Sequence, residues 1–175
     1  RYLLPYARGE KKSCLALSEP GAGSDAAAIK TRAERRNGKW VLNGTKLWIS
    51  GARRADFMIV MAVTDATADK RSAYTTFLVD KGTPGVSIPA SFPMIGEYHP
   101  YEVVLDNVEL DDGQVLGEVG AGFGPVSQRL GVRRLEIASR CLGLARRCLG
   151  MMIEQANTRQ TFGAPLADRQ AVQWW

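Results

Sequence analysis

The run Ser18-Glu19-Pro20-Gly21-Ala22-Gly23-Ser24-Asp25-Ala26 decides how the rest of the chain is read. Two glycines in one tight loop let the backbone approach a phosphate closely and aim N–H groups at it, and Ser18 and Ser24 add hydroxyl donors. Gly21, Gly23 and Ala26 also satisfy the spacing G-x-G-x-x-A of a dinucleotide-binding turn. Such a turn leaves a strand and opens a helix, with an acidic residue about 20 positions further on. Here Pro20 precedes the glycines, and Ile29 to Ser50 alternates and turns at Asn37-Gly38 and Asn43-Gly44, as strands do. The doubly wound reading fails on this context. What remains is a phosphate-cradling loop on a β scaffold or an ordinary glycine-rich turn between strands.

Composition narrows the classes further. The 175 residues are 45% hydrophobic, enough for a sizeable core in one domain or one and a half. The net charge of +5 comes from arginines spread along the chain without a compact basic tract, so an anionic small ligand fits as well as a nucleic acid, and we expect no nucleic-acid partner. Cys14, Cys141 and Cys148 form no C-x-x-C pair, and His99 stands alone, so no transition-metal set is expected. Cys141 and Cys148 lie two helical turns apart on a helix, too far to bridge, and all three cysteines read as small apolar packing residues in a reducing compartment. No signal peptide or membrane-length apolar run is present. The chain opens on Arg1 and reads as a piece of something longer.

From Cys14 to about Val115, short runs rich in Val, Ile, Phe, Tyr and Thr are separated by turn residues, the spacing of an all-β domain. Trp40 to Leu42, Lys46 to Ser50, Phe57 to Val63, Tyr74 to Val79, Val86 to Ile88 and Tyr101 to Leu105 are the expected strands. Asn37-Gly38 is the best hairpin turn, Thr64 to Arg71 is expected to be a surface loop, and Lys81 to Gly85 a second turn. At Gly117 to Pro125 the pattern changes, and a long helix is predicted to start there, with Pro125 in its first turn. At about 100° per residue, Leu130, Ile137, Cys141, Leu144, Cys148 and Met152 form one stripe, and Leu135, Leu142, Leu149 and Ile153 an adjacent one. Arg129, Arg140, Arg147 and Glu154 gather on the remaining side. So wide an apolar arc suits a helix covered on two sides, as in a bundle. Gly163 and Pro165 are expected to break it, with a second helix near Ala167 running to Trp174-Trp175.

Four blocks in order resemble the acyl-CoA dehydrogenase family: Cys14 to Asp25, Leu47-Trp48-Ile49-Ser50, Gly120-Ala121-Gly122-Phe123, and Arg159-Gln160-Thr161-Phe162-Gly163. The resemblance covers nearly the whole chain. It implies an antiparallel β-barrel-like domain followed by the first helices of an up-down four-helix bundle, with residues 1–11 ending an N-terminal helical domain, 12–117 forming the flavin-binding β domain and 118–175 opening the bundle. It implies FAD as cofactor, lined by Leu15, Leu17, Ser18, Gly23 and Ser24, with Trp48, Ile49 and Ser50 flanking the flavin ring. A hydroxyl or N–H at Ser50 is suited to bond flavin N5, the atom that receives a hydride. Arg159 and Phe162 resemble residues that reach a neighbouring subunit's flavin, Thr161 between them is expected to contact the cofactor, and Arg169 and Gln170 occupy positions that approach the same cofactor. Ser24, Gly131, Arg133 and Arg134 fall at acyl-CoA contacts.

The implied reaction is α,β-dehydrogenation of an acyl-CoA thioester to a trans-2-enoyl-CoA, passing electrons to an electron-transfer flavoprotein or similar acceptor, in a homodimer or homotetramer. Its catalytic base is absent from this chain and expected beyond Trp175, because Arg133 stands where a minority of members carry it. Two positions depart from the family pattern: Gly131 replaces a common aspartate and Leu15 a common aromatic. Bland readings stand beside these. Trp48 could be plain core, Arg159 a helix C-terminal cation, Glu136 a solvated or ion-paired residue, and Arg134, on the apolar stripe, either ion-paired or ligand-binding. At the level of function, an oxygen-using oxidase or monooxygenase of the same fold and a non-catalytic β-domain binding module remain the alternatives.

Overall fold

The computed structural model describes residues 1–69, 72–96 and 98–174, which fall into two compact units, Arg1–Val126 and Ser127–Trp175. The first unit opens with a short helix, α1 (Leu3–Ala7), and is otherwise built on one seven-stranded sheet curled into a half-barrel. β2 (Arg32–Arg36) and β3 (Lys39–Ser50) form the expected hairpin, and Asn37 and Gly38 both take positive φ, 51° and 79°, the pair that a two-residue turn matching strand twist requires. β3 pairs on its other edge with β7 (Pro100–Leu110), and β6 (Val86–Ser87) adds to β7. β4 (Phe57–Val63) carries β5 (Tyr74–Asp80) antiparallel on one edge. On its other edge lie β1 (Ser13–Ala16) and the first residue of β2, both parallel to it, so the sheet is mixed although mostly antiparallel. The core between the curled walls includes Trp40, Leu42, Met58, Phe77, Val103 and Leu110.

One expected turn is overturned. Asn43-Gly44 does not reverse the chain: the two separate strands expected at Trp40 to Leu42 and Lys46 to Ser50 are one twelve-residue strand. The turn-forming residues serve a β-bulge instead. Between Leu42 and Gly44 the register with β7 slips by one residue, the extra residue lies on β7, and Asn107 there adopts φ 49° with its N–H bonded to Asn43 Oδ1 at 2.8 Å. A Cβ on Gly44 would stand 2.4 Å from Thr31 Oγ1 and 2.7 Å from Thr31 Cα, so glycine here admits the residue that leads into β2 at close range. β7 correspondingly extends to Leu110, beyond the expected Leu105.

A second bulge lies between Lys46 and Ile49, this time with its extra residue on β3. Trp40, Leu42, Gly44 and Lys46 follow one inward-facing alternation, and its continuation would put Trp48 in the core. The bulge reverses the alternation: Ile49 is 2% exposed and Trp48 is 52% exposed.

The glycine block ahead of the long helix is tied to β5. Gly122 N–H bonds Tyr74 O at 2.9 Å, Gly120 N–H bonds Thr75 Oγ1 at 2.9 Å, and a Cβ on Gly122 would lie 2.7–2.8 Å from Thr75 and Thr76 atoms. The helix, α2 (Phe123–Thr158), keeps Pro125 in its first turn. It stops earlier than Gly163 and Pro165 suggested, because β8 (Gln160–Thr161) and β9 (Ala164–Pro165) form a tiny hairpin around Phe162-Gly163. A 3-10 turn at Leu166–Asp168 and the short helix α3 (Gln170–Gln173) follow. Leu135, Leu142, Leu149 and Met152 are half exposed or more, and Cys141 and Cys148 are exposed rather than packed, unlike buried Cys14. No helix of the described residues is long and apolar enough to cross a membrane. Lys70 and Arg71 of the expected surface loop, and Trp175, lie outside the described residues.

Candidate functional site

The loop that follows β1 is held on both sides. Glu19 and Ala22 exchange backbone hydrogen bonds, N–H of Glu19 to Ala22 O at 2.8 Å and N–H of Ala22 to Glu19 O at 3.1 Å, which closes a turn with Pro20 and Gly21 at its tip. Ser18 O accepts from Leu47 N–H at 2.8 Å, so the loop lies beside the Trp48 bulge. Leu17 is buried and Leu15 and Ser18 are half-buried, while Gly21, Gly23 and Ser24 are exposed. Neither Gly21 nor Gly23 takes positive φ, and a Cβ on either would meet nothing within 4 Å. The fold itself does not require glycine at these two positions.

Beneath the loop lies an ion pair. Lys46 is fully buried, and its Nζ donates to Glu19 Oε1 at 2.8 Å, Met61 O at 2.7 Å and Leu17 O at 3.2 Å, which uses all three protons. Glu19 Oε1 also accepts from Thr31 N–H at 3.0 Å and Thr31 Oγ1 at 2.6 Å, and Oε2 from Lys30 N–H at 2.6 Å. Burial pushes the Glu19 carboxyl up, but the charge and hydrogen bond of Lys46, with the bonds from Thr31 and Lys30, outweigh it and hold the group below its ordinary value. Burial lowers the Lys46 ammonium from its ordinary value, and Glu19 opposes that shift.

Trp48 sits at φ 61°, a left-handed conformation that costs a bulky residue roughly 1–3 kcal/mol and clusters at functional sites. Its ring stacks at a tilt on Phe92, centroids 4.6 Å apart, and remains half exposed. It is not core. The Ile49 side chain does belong to the core, so its contribution to a surface site comes from its backbone. Ser50, the last residue of β3, is exposed. The structure thus gathers Leu17 to Ser24 and Trp48 to Ser50 along one stretch of the first unit.

In the second unit the β8–β9 hairpin organises a separate cluster. Phe162 and Gly163 form its turn with φ 51° and 78°, and Phe162 is fully exposed. Arg169 lies over the Phe162 ring at 5.6 Å and donates to Thr161 O, while Arg159 O accepts from Leu166 N–H at 2.7 Å. Arg159, Thr161, Phe162 and Arg169 are therefore brought together, with Gln170 opening the next helix. On α2, Arg133 donates to Glu136 at 2.8 Å and Arg129 approaches the same carboxylate at 3.7 Å; the Arg133 bond, ahead of the nearby charges, lowers the Glu136 carboxyl. Glu136 is ion-paired, one of the two roles read for it. Arg134 is exposed and makes no ion pair among the described residues. Gly131 lies half-buried on the same helix.

Residues 14–108 match the family model of the acyl-CoA dehydrogenase middle domain, and residues 120–175 that of the C-terminal domain. The chain belongs to the acyl-CoA dehydrogenase family. It is 49% identical over its whole length to (R)-benzylsuccinyl-CoA dehydrogenase of Thauera aromatica, covering 43% of that protein. It is 37% identical over 99% of its length to the human mitochondrial short-chain specific acyl-CoA dehydrogenase, covering 42% of it. A glutaryl-CoA dehydrogenase from Mycobacterium smegmatis, solved in complex with FADH2, superposes with a TM-score of 0.87 at 33% identity, over 99% of this chain and 44% of that one. The chain spans less than half the length of the acyl-CoA dehydrogenases it matches.

Glu19 and Lys46 escaped the sequence reading, although a signal was available. Lys46 shares the inward alternation of Trp40 and Leu42, and a cation at a core-facing strand position must have a buried partner. Glu19 was passed over as one member of a glycine-rich loop.

Proposed function

We propose that this chain is the cofactor-binding half of a flavin-dependent acyl-CoA dehydrogenase, with FAD held by the Leu15–Ser24 loop and the Trp48–Ser50 segment. The observation that carries this reading is the pairing of a clamped loop, whose Gly21 and Gly23 the fold does not need, with an aromatic side chain turned out of the core at positive φ. Open glycines offer backbone approach to a pyrophosphate, and Ser18 and Ser24 offer hydroxyls. An exposed indole suits the face or edge of a fused aromatic ring. The residues present fit the group.

Bound there, the flavin would supply a two-electron acceptor for hydride. The protein's own part is to bind and orient. Leu15 and Leu17 give an apolar margin to the loop, Ser50 offers a hydrogen bond to the flavin N5 position, and the turn at Ser18 to Ala22 fixes the loop against β3. An acyl-CoA thioester is the proposed substrate, contacted by Ser24 and by Gly131, Arg133 and Arg134 on α2. Arg133 is a cation with no acceptor atom and cannot act as a base, so the proton acceptor is placed outside this chain. Arg159 and Phe162 are proposed to serve the flavin of a neighbouring subunit, with Thr161, Arg169 and Gln170 approaching the same cofactor. Full exposure of Phe162 in a strained turn supports a partner there. A homodimer or homotetramer, electron transfer to a flavoprotein acceptor, and a reducing compartment in cytoplasm or mitochondrial matrix complete the reading.

The test uses the full-length protein. It is expected to purify with FAD, to bleach on adding an acyl-CoA, and to scatter light as two or four subunits. Absence of flavin, or a monomer with flavin bound, would overturn the cofactor assignment or the cross-subunit role of Phe162 respectively. Fast reoxidation by air would move the protein to the oxygen-using branch.

A further inference from the structure

The buried Lys46–Glu19 pair bonds to three separate segments of main chain at once. Its partners are Leu17 O in the glycine loop, Met61 O in β4, and the N–H groups of Lys30 and Thr31 ahead of β2. Replacing a buried ion pair by apolar groups is often neutral or stabilising, so such a pair is weak evidence of a stabilising role and needs another explanation. Here Lys46 holds two main-chain carbonyls, Leu17 O and Met61 O, and Glu19 two main-chain amides, Lys30 and Thr31, which an apolar pair cannot do. Lys46 is also the last residue in register before the Trp48 bulge, and Glu19 begins the turn that carries Gly21 and leads into Gly23. One ion pair thus grips both halves of the candidate cofactor site.

We propose that Lys46 and Glu19 are positioning residues for the cofactor: the pair locks the Leu17–Ala22 turn to the root of the Trp48 bulge, so that loop glycines and indole are held in fixed relation before ligand binds. This inference rests on the proposed flavin site. Its physical content is preorganisation, in which ordering is completed on folding and not charged to the binding step.

The test compares full-length wild-type protein with Glu19→Gln and with the double variant Glu19→Gln/Lys46→Met, which leaves no buried charge unpaired. Two readouts are taken: hydrogen exchange of the Lys30, Thr31 and Leu47 amides in flavin-free protein, and FAD affinity together with the fluorescence of bound flavin. The double variant is expected to unfold cooperatively, to exchange these amides faster, and to bind FAD about 10-fold more weakly or worse, since small misplacements cost that much. Glu19→Gln alone, which keeps the Lys46 bonds to Leu17 O and Met61 O, is expected to fall between. Folded variants that bind FAD with wild-type affinity and fluorescence overturn the proposal. If the double variant does not fold, Glu19→Gln decides on the same readouts. Wild-type protein that binds no FAD would instead overturn the cofactor site on which the proposal stands, whatever the exchange rates show.

Discussion

Replacing Gly23 with alanine separates a glycine that the fold needs from one that a ligand needs. At Gly23 the backbone is not in the left-handed region and an added Cβ meets nothing within 4 Å. The folded chain therefore accepts the methyl, and the unfolded chain loses freedom, so flavin-free protein should be unchanged or more stable by about 0.4–1 kcal/mol. A pyrophosphate resting on that backbone would be pushed away by the methyl, a crowding cost of roughly 1–3 kcal/mol. At 1.4 kcal/mol per factor of ten, this corresponds to about 5- to 150-fold weaker FAD binding. Thermal unfolding of flavin-free protein gives the first quantity, and quenching of flavin fluorescence on titration gives the second. Full affinity for FAD in Gly23→Ala would show that the loop does not cradle the cofactor. Loss of stability in the flavin-free variant would show that the glycine serves the fold, contrary to the geometry.

Ser50→Ala should keep the fold and lose about 1–3 kcal/mol of flavin binding or of the hydride-transfer barrier, read from FAD affinity and stopped-flow reduction. Gly122→Ala, whose Cβ would press on Thr75 and Thr76 at 2.7–2.8 Å, should destabilise by about 1–3 kcal/mol or more in a denaturant titration, unlike Gly21→Ala, which meets nothing within 4 Å. Cys14, whose thiol burial pushes up to about 11, should resist alkylation at neutral pH until the protein unfolds, as mass mapping of labelled peptides will show. The folded Glu19 value lies below its ordinary 4.5, so the stability it adds is complete above 4.5 and is lost as pH falls through the lowered value. Melting curves taken from neutral pH downward should lose this acid-dependent step in Glu19→Gln.

Legibility varied with how local the determining forces were. The Asn37-Gly38 hairpin was readable because its turn demands positive φ at two adjacent residues, and the start of α2 because Pro125 and the apolar stripes act within a few turns. Asn43-Gly44 misled because its residue types suit a turn equally well as a bulge, and only Asn107, distant in sequence, decides between them. The early end of α2 was hidden in the same way, by a hairpin of four paired residues that no alternation can announce. In the site, the loop and Trp48 were found through the family resemblance, whereas the exposure of Trp48 follows from a slip in pairing that sequence alternation alone would have reversed.

The two slips along β3 and β7 have opposite signs, and together they act as a compensated frameshift. Up to Leu42 and again from Ile49 onward, β3 stands in the same alignment with β7, and only Gly44 to Lys46 are out of step. Trp48 is consequently a supernumerary residue: it can be turned outward without moving where either strand begins or ends. In this sheet a large aromatic could be gained, exchanged or lost at the candidate ligand surface while the frame of every flanking core residue stays intact. The part of the sheet proposed to face the flavin is thereby free to change independently of the part that keeps the protein folded.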